Sequence, residues 1–293
     1  MRRLQFVIGV GICAVALLSG SASEAGRGFG GKGGMMGGKK GGGEASKETP
    51  DESSSNPMNP RSSREVHENA GLFNTGLRPA YPSAAKCLEI KSAFGDETRH
   101  DGSTRYALAF HGYHGGNDIS ADIGTPLVAL ADGEVVHKYV GGRLVGNQIY
   151  LRHAPEDTGL PVWVYSKYKH FDKLPQLEVG DRVKMGQFLG PSGNTGTTGG
   201  HFGGQGYPHL HITIYISRSP DYETIKKSVL PKDVQYLDLV ALYLNRTPPV
   251  VDNHQARDLP DAEKDVPIPY MTPAGTVSPT ETRLIWPIMC QPG

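Results

Sequence analysis

Residues 208–215 read Pro-His-Leu-His-Ile-Thr-Ile-Tyr, and this stretch decides the fold. Its alternation predicts a β-strand over 209–216, because successive side chains of a strand point to opposite faces. His209 and His211 would therefore share one face. The other face would enter an apolar core through Leu210, Ile212 and Ile214. Two imidazoles fixed on a strand form a rigid platform for a metal ion or for acid–base chemistry.

A second cluster, residues 111–118, reads His-Gly-Tyr-His-Gly-Gly-Asn-Asp. His114 and Asp118 flank two glycines, which allow the chain to bend closely around an ion. With His211 they make a set of two histidines and one aspartate that suits zinc. Three protein ligands leave one coordination position open, as is typical of catalytic zinc sites.

Two further histidines fit the needs of amide hydrolysis, which requires a proton acceptor and a group that stabilises the developing oxyanion. One is His209, next to the strand ligand. The other is His170, in the segment Tyr168-Lys169-His170-Phe171. The sequence predicts that both lie beside the metal ligands.

These separated motifs resemble those of the LytM/lysostaphin-type zinc metallopeptidases, which cut peptide bonds in the bacterial cell wall. Residues 114–118 match the family's H-x-G-x-D pattern, and 209–211 match its H-x-H. Residues 168–171 match its Tyr-x-His-Leu segment, with Phe in place of Leu. Residues 179–183 and 190–196 also fit, and the resemblance covers about residues 105–217.

The resemblance implies that zinc is held by His114, Asp118 and His211. It makes His209 the general base or the oxyanion partner, with His170 assisting. It also implies a groove over an antiparallel sheet that accepts a peptidoglycan peptide.

The resemblance does not extend to every segment near the motifs. Residues 197–208 are longer than the family's pattern at that point, and we expect an enlarged loop that borders the groove. Asn194 is either a turn residue or a substrate-binding residue at the lip of the groove. The remaining histidines are assigned to less specific positions: His111 as a neighbour of the site, His137 as structural in a strand, and His153 and His201 in loops.

The surrounding sequence predicts a mainly β domain over residues 80–245, built from many short antiparallel strands. Strands are predicted at Tyr106–Phe110, 126–131, 134–139, 148–152 and 162–168, with a hairpin at Asp132-Gly133. A C-terminal helix is predicted from 231 to about 245. A Pro-rich extended tail, 246–293, would pack through Ile285, Trp286, Ile288 and Cys290.

The N-terminus has the pattern of a secretory signal peptide over residues 1–25, with Arg2 and Arg3 before an apolar run. An uncleaved membrane anchor is the alternative. Residues 26–75 form a predicted disordered spacer, because residues 26–43 contain eleven glycines and no apolar periodicity. We therefore expect export to a periplasmic or extracellular cell-wall space, without a stable membrane span after cleavage.

Export bears on the cysteines. Of the three in the chain, Cys13 lies in the signal and only Cys87 and Cys290 remain. The sequence predicts a disulfide between them, with two separate thiols as the alternative. The chain holds 30 basic and 30 acidic residues, so its charge gives no reason to expect nucleic-acid binding.

Together these features predict an exported zinc endopeptidase that hydrolyses peptidoglycan cross-links or bridges. One alternative is a non-catalytic wall-binding regulator of other hydrolases. A weaker one is a biotinyl or lipoyl carrier, for which Lys184 in Val183-Lys184-Met185 would be the modified residue.

Overall fold

The secondary structure is taken from a computed structural model, which describes residues 55–143, 145–198 and 206–293. Its strands are β1 (Arg78–Ala80), β2 (Ala85–Lys86), β3 (Ile90–Ser92), β4 (Asn117–Ser120), β5 (Pro126–Val128), β6 (Gly133–Tyr139), β7 (Asn147–His153), β8 (Trp163–Phe171), β9 (Arg182–Val183), β10 (Phe188–Pro191), β11 (His209–Ser217), β12 (Tyr222–Ile225), β13 (Ser228–Pro231), β14 (Gln235–Leu237), β15 (Asp265–Pro267), β16 (Tyr270–Met271), β17 (Val277–Ser278) and β18 (Gln291–Pro292). The described α-helices are α1 (Arg64–Asn69), α2 (Pro155–Thr158) and α3 (Asn253–Arg257). Short 3-10 helices cover Phe110–Gly112, Leu239–Tyr243 and Asp261–Glu263. The predicted mainly β class is confirmed.

Strand β11 lies inside the main sheet, whose order is β3-β4-β11-β8-β7-β6-β9, with β14 paired to the end of β11. Every pairing in this sheet is antiparallel. Three side chains of β11 that face the core are at most 1% exposed: Leu210, Ile212 and Ile214. His209 and His211 both line a cleft on the opposite face. The alternation in residues 208–215 therefore predicted this strand correctly.

The predicted hairpin at Asp132-Gly133 is wrong. Strand β5 pairs with β10, whereas β6 pairs with β7 and β9. Asp132 is held by both neighbours instead: its carboxylate accepts hydrogen bonds from the Met185 amide and the Lys184 ammonium, each at 2.8 Å. Its carbonyl accepts one from His153 Nδ1 at 2.6 Å. These bonds fix the chain as it crosses from one pair of strands to the other.

The C-terminal helix predicted over 231–245 is also wrong. This segment forms the end of β13, then β14 and the 3-10 helix Leu239–Tyr243. Tyr236 of β14 lies opposite Tyr215 of β11, so the main sheet takes this segment as a strand. All five residues of the 3-10 helix are buried. Burial on every side, rather than on one helical face, explains why apolar spacing alone misled the prediction.

The tail after residue 246 is mostly irregular, with α3 and four short strands. The four residues predicted to anchor it are at most 2% exposed: Ile285, Trp286, Ile288 and Cys290. Strand β18 pairs with β2, and the predicted Cys87–Cys290 disulfide is present. The tail is thus tied back to the start of the β domain.

The predicted spacer over 26–75 extends too far along the chain. Residues 55–75 include α1, which begins after Ser63, whose side chain accepts a hydrogen bond from the Val66 amide at 3.2 Å. His67 and Leu72 are fully buried. Leu72 packs in a cluster rich in aromatic residues, and this burial holds the segment to the domain. The signal prediction and residues 26–54 of the spacer lie outside the described residues.

The strand predicted at Tyr106–Phe110 is a turn that leads into a 3-10 helix. The Ala109 amide bonds to the Tyr106 carbonyl at 3.1 Å, and Tyr106 and Leu108 are 66% and 72% exposed. The apolar side chains of this segment are therefore at the surface and do not form a core strand. Within the described ranges, no helix has the length and apolar character needed to cross a bilayer.

Candidate metal centre

Two neighbouring strands carry the central acidic and imidazole side chains. Asp118 on β4 lies directly opposite His211 on β11, and His209 lies opposite Ser120. Side chains that face each other across an antiparallel pair come within about 5 Å of each other. His114 precedes β4 and closes the cluster from the loop side.

One carboxylate oxygen is the point on which these side chains converge. Asp118 Oδ1 lies 2.8 Å from His211 Nδ1, 3.1 Å from His114 Nε2 and 3.3 Å from His209 Nε2. His114 Nε2 and His211 Nδ1 are 3.2 Å apart. Asp118 is 5% exposed, so the cluster is almost enclosed by protein. Its second oxygen lies 3.4 Å from the Tyr207 hydroxyl and 3.7 Å from Arg105 Nη2.

The spacing of the three predicted ligands fits a zinc ion. A tetrahedral zinc site with bonds of about 2.0–2.1 Å has ligand atoms about 3.3 Å apart. The three distances between donor atoms of His114, Asp118 and His211 are 2.8, 3.1 and 3.2 Å. A small outward shift of these donor atoms would bring them to the spacing that a bound zinc ion requires. His170, His209 and His211 form a second group with donors in reach of one another, but it lacks a carboxylate.

Hydrogen bonds on the far side of the ligand rings fix which nitrogen faces the centre. His114 Nδ1 lies 2.9 Å from the Ala93 carbonyl oxygen, which can only accept, so this nitrogen donates. A neutral His114 then presents an Nε2 lone pair to the centre. His211 Nε2 lies 3.1 Å from Thr213 Oγ1, which leaves Nδ1 facing Asp118. Such outer contacts orient metal ligands in many proteins.

Electrostatics favour an ionised Asp118 carboxylate and a neutral His211 ring. Burial acts to raise the pKa of Asp118, but His114 and His209 outweigh it and hold that pKa well below its usual value. Burial lowers the pKa of His211 well below its ordinary value, although Asp118 opposes this effect. A deprotonated aspartate and an unprotonated histidine are the forms that bind metal.

A β-bulge brings His170 to the site. Asn147 pairs with Phe171 and Gln148 pairs with Lys169, so His170 is the extra residue between them. Its φ of 70° is uncommon for a residue other than glycine. Without the bulge, strand alternation would place His170 on the core face with Tyr168. The bulge re-aims the side chain toward the metal ligands, a common use of such irregularities near functional sites.

His170 and His209 are prepared as proton acceptors by backbone carbonyls. His170 Nδ1 donates to the Thr195 carbonyl at 2.6 Å, and His209 Nδ1 donates to the Tyr207 carbonyl at 2.8 Å. The rings lie 4.8 Å apart between centroids. Burial, together with the nearby Lys169, lowers the pKa of His170 and keeps its ring neutral. The Nε2 atom of His170 then carries a lone pair.

Of the two glycines between the first ligands, Gly116 is the one that the geometry requires. A β-carbon on Gly116 would lie 2.4 Å from the Ile212 carbonyl oxygen and 2.9 Å from His211 Nε2. The same atom on Gly115 would meet its nearest neighbour, the Tyr236 ring, at an ordinary 3.8 Å. The close approach of β4 to β11 therefore depends on Gly116.

Comparison with known protein families identifies the segment that carries this cluster of side chains. A family model, Peptidase family M23, matches residues 112–222, which include every residue of the centre described above except Ala93 and Arg105. This segment is an M23 peptidase domain. The predicted resemblance to LytM/lysostaphin-type enzymes is confirmed at the level of this family.

Relatives of the M23 domain are endopeptidases by name. The chain is 36% identical over 104 residues to the peptidoglycan DD-endopeptidase ShyC of Vibrio cholerae, a match covering 36% of this chain and 20% of that protein. It is 37% identical over 109 residues to the glycyl-glycine endopeptidase ALE-1 of Staphylococcus capitis, covering 36% and 26%. The chain thus spans about a quarter or less of the length of these relatives. The solved catalytic domain of lysostaphin from Staphylococcus simulans aligns with a TM-score of 0.30 and 30% identity, over 41% of this chain and 77% of that one.

The cleft of the M23 domain contains residues that sequence reasoning missed. Lys169 lies opposite His211 and Lys167 lies opposite Thr213, so both lysines extend along the ligand face of the sheet. Tyr207 stacks on His209 with centroids 4.4 Å apart. Alternation from Tyr168 would have placed the two lysines on this face, but their charge gave no sign of a site.

Other predicted residues lie elsewhere. Asn194 does not line the described part of the cleft; its carbonyl accepts a bond from the Thr197 amide, which favours the turn alternative. His111 is not a neighbour of the site, because its Nε2 bonds to the Ser62 carbonyl at 3.0 Å. His153 ends β7 and is buried, rather than lying in a loop. His137 lies in β6 as expected, and His201 lies outside the described residues.

Proposed function

We propose that this protein is an exported, zinc-dependent endopeptidase that hydrolyses peptide bonds in peptidoglycan. The observation that carries the proposal is the convergence of His114, Asp118 and His211 at zinc-like spacing inside an M23 domain. The names of the relatives point to the substrate, since one is a peptidoglycan DD-endopeptidase and the other a glycyl-glycine endopeptidase. The complete set of polar side chains favours an enzyme over a regulator that has lost ligands.

Each residue of the centre has a role in this proposal. His114, Asp118 and His211 would hold the metal. Zn²⁺, when bound, supplies Lewis-acid chemistry that polarises the scissile carbonyl and makes water more acidic. His209 would act as the general base, because its Nε2 lies 3.3 Å from the ligand oxygen of Asp118 and so beside the position that the metal would take. The His170 ring lies 4.8 Å from the His209 ring and, when neutral, can accept a proton at Nε2; once protonated there, it can donate a hydrogen bond to the developing oxyanion.

Export rests on the N-terminal sequence and agrees with the cysteines. Residues 1–25 have the order of a basic start, an apolar run and small residues that a secretory signal requires. A disulfide persists in oxidising compartments such as the periplasm or the extracellular space. The Cys87–Cys290 bridge is consistent with that location.

Zinc content and wall cleavage by the same preparations test the proposal. The protein should hold one zinc per chain and release soluble muropeptides from purified peptidoglycan. A chelator should abolish that release, and added zinc should restore it. His211→Ala should lose both metal and activity. His111→Ala is the matched control, because this exposed histidine lies outside the described cleft lining, and it should retain both.

The outcomes separate the alternatives. Full activity of His211→Ala would exclude the ligand set. Binding to walls without any cleavage by the zinc-loaded protein would favour a regulator. Mass spectrometry that found biotin or lipoate on Lys184 would favour a carrier; in the structure this lysine pairs with Asp132 at 2.8 Å.

A further inference from the structure

The cleft extends well beyond the metal ligands. Two adjoining parts of it measure about 210 Å³ and about 280 Å³. The two parts have five lining residues in common: Arg99, Arg105, His114, Lys169 and His211. The second part runs along β8 and β11 past Lys167 and Thr213 and ends near Tyr215 and Tyr236. The predicted centre therefore opens into a groove that continues along β8 and β11.

Four cationic side chains line this groove, two from its floor and two from its wall. Lys167 and Lys169 project from β8, and Arg99 and Arg105 belong to the segment that precedes β4. Lys167 and Lys169 are two residues apart in one strand, so they share a face and repel each other. This arrangement concentrates positive charge on one side of the metal ligands.

Lys167, Lys169 and Arg99 have no acidic partner among the described residues, and Arg105 has only a long contact with Asp118. Neither lysine has a hydrogen bond or ion pair with any residue that the structure describes; Lys167 Nζ lies 5.1 Å from the centroid of the Tyr150 ring. Arg99 bonds to the Thr104 carbonyl at 2.6 Å, which carries no net charge. Arg105 Nη2 lies 3.7 Å from Asp118, and within the described ranges its buried Nε and Nη2 have no hydrogen bond.

The acids that line the groove do not balance this charge. They are Asp118 and Asp101 among the described lining residues. Asp118 would be neutralised by a bound metal ion. Asp101 already accepts hydrogen bonds from the amide and hydroxyl of Ser103, at 3.0 and 2.6 Å. Half-buried cations without counter-charges are costly, and burial lowers the pKa of Lys167 to about 8 and that of Lys169 to about 7. Lys167 therefore stays mostly protonated at pH 7, and an anionic group of a bound substrate would favour the charged form of both lysines.

We propose that this groove selects peptide substrates that carry a free carboxylate close to the scissile bond. The inference rests on the proposed peptidase function and narrows its substrate class. A stem-peptide cross-link with acidic groups offers charges for Lys167 and Lys169, whereas an uncharged bridge of glycines offers none. We assign Lys167 as a specificity-determining residue. It is the better lysine to test, because it lines the 280 Å³ part of the groove but not the 210 Å³ part that contains Asp118 and His209.

The experiment compares one set of cross-linked muropeptides in two forms, untreated and amidated with carbodiimide and ammonia. Amidation turns each carboxylate into a neutral carboxamide of similar shape. The full-length zinc-loaded protein should cleave the acidic form with a kcat/KM about tenfold higher or more, the size expected for a hydrogen bond to a charged group. Raising the salt concentration should reduce that ratio, since mobile ions screen partly exposed charges.

Variants connect the preference to the groove. Lys167→Gln should bring the acid-to-amide ratio toward one, and Lys167→Arg should preserve it. Lys184→Gln is the matched control, since it removes an exposed lysine outside the groove and should leave the ratio unchanged. A ratio near one for the unaltered protein, or an unchanged ratio in Lys167→Gln, would overturn the proposal.

Failure of the proposed function would look different. If neither form is cleaved, the equilibrium affinity of the zinc-loaded protein for each form is measured by calorimetry. Tighter binding of the acidic form, lost in Lys167→Gln, would support the groove although the peptidase assignment failed. Equal affinities for the two forms would overturn the groove as well.

Discussion

Replacing His153 by glutamine should make folding less sensitive to mild acid. His153 is fully buried at the end of β7. Its Nδ1 donates to the Asp132 carbonyl at 2.6 Å, and its Nε2 lies 2.7 Å from Ser166 Oγ. Burial lowers the pKa of His153 from 6.5 to about 4, and the bond to Asp132 offsets only part of this effect.

The magnitude follows from the two pKa values. Above pH 6.5 the ring is neutral whether the protein is folded or unfolded, so it adds no pH dependence. Between pH 6.5 and 4 the unfolded chain binds a proton that the folded protein does not. Stability then falls by about 1.4 kcal/mol per pH unit, or about 3 kcal/mol in all, and the loss levels off below pH 4.

The assay is urea unfolding of the metal-free, disulfide-intact protein at pH 7.5 and at steps down to pH 4.5, with the His153→Gln variant beside it. Glutamine keeps a donor and an acceptor but does not titrate. The gap between the two proteins should change by about 2–3 kcal/mol across this range, with the variant losing less stability. Parallel curves would refute the reasoning. Should the variant not fold, a proton NMR titration of the unaltered protein should place the His153 pKa below 5.

Three further changes test other parts of the structure. Gly116→Ala should weaken zinc binding at least tenfold, because its β-carbon would lie 2.4 Å from a backbone oxygen of β11; unchanged affinity in a competition titration would contradict this. Tyr207→Phe should weaken zinc binding about tenfold, because it removes the hydroxyl that lies 3.4 Å from the second oxygen of Asp118. An unaltered dissociation constant for zinc would show that this hydroxyl does not support the ligand. The double variant Cys87→Ser/Cys290→Ser should lose up to about 5 kcal/mol of unfolding free energy, because the bridge closes a loop with a sequence separation of 203. Equal urea midpoints for the disulfide-bonded protein and the variant would show that the bridge does not stabilise the fold.

The sequence around His211 predicted both the strand and the face that carries His209 and His211, because these features depend only on the local alternation of side chains. A strand exposes every second side chain to the same face, so His209 and His211 had to point together once Leu210 and Ile212 entered the core. The spacing of His114 and Asp118 could not by itself bring them to that face. The resemblance to a known family predicted that His114 and Asp118 lie beside His211. The pairing of β4 with β11 explains how Asp118 comes to lie opposite His211.

The failures have a common physical origin in long-range contacts. Asp132-Gly133 has the local signature of a hairpin, yet Asp132 is bonded to Lys184 and Met185, which lie far along the chain. The apolar residues around Val240 have helical spacing, but they are buried on all sides and Tyr236 joins the main sheet. Neither competing contact can be detected from the segment itself.

His170 shows a subtler limit. Its sequence context predicted that His170 belongs to the site but not that its side chain faces the metal ligands. Strict alternation would have pointed that side chain into the core with Tyr168. The bulge opposite Asn147 and Gln148 reverses that direction. Register shifts of this kind arise from how neighbouring strands and loops fit together, and no period in the sequence records them.

The Cys87–Cys290 bridge has a consequence for damage to the chain. It joins Cys87 to Cys290, so most of the described chain lies within one covalent loop. A single backbone cut anywhere in that loop would open the ring without releasing a fragment. A nicked molecule would keep its full mass under non-reducing conditions, and its pieces would separate only after reduction. The β2–β18 pair would add hydrogen bonds beside the bridge, where the two ends of the loop meet.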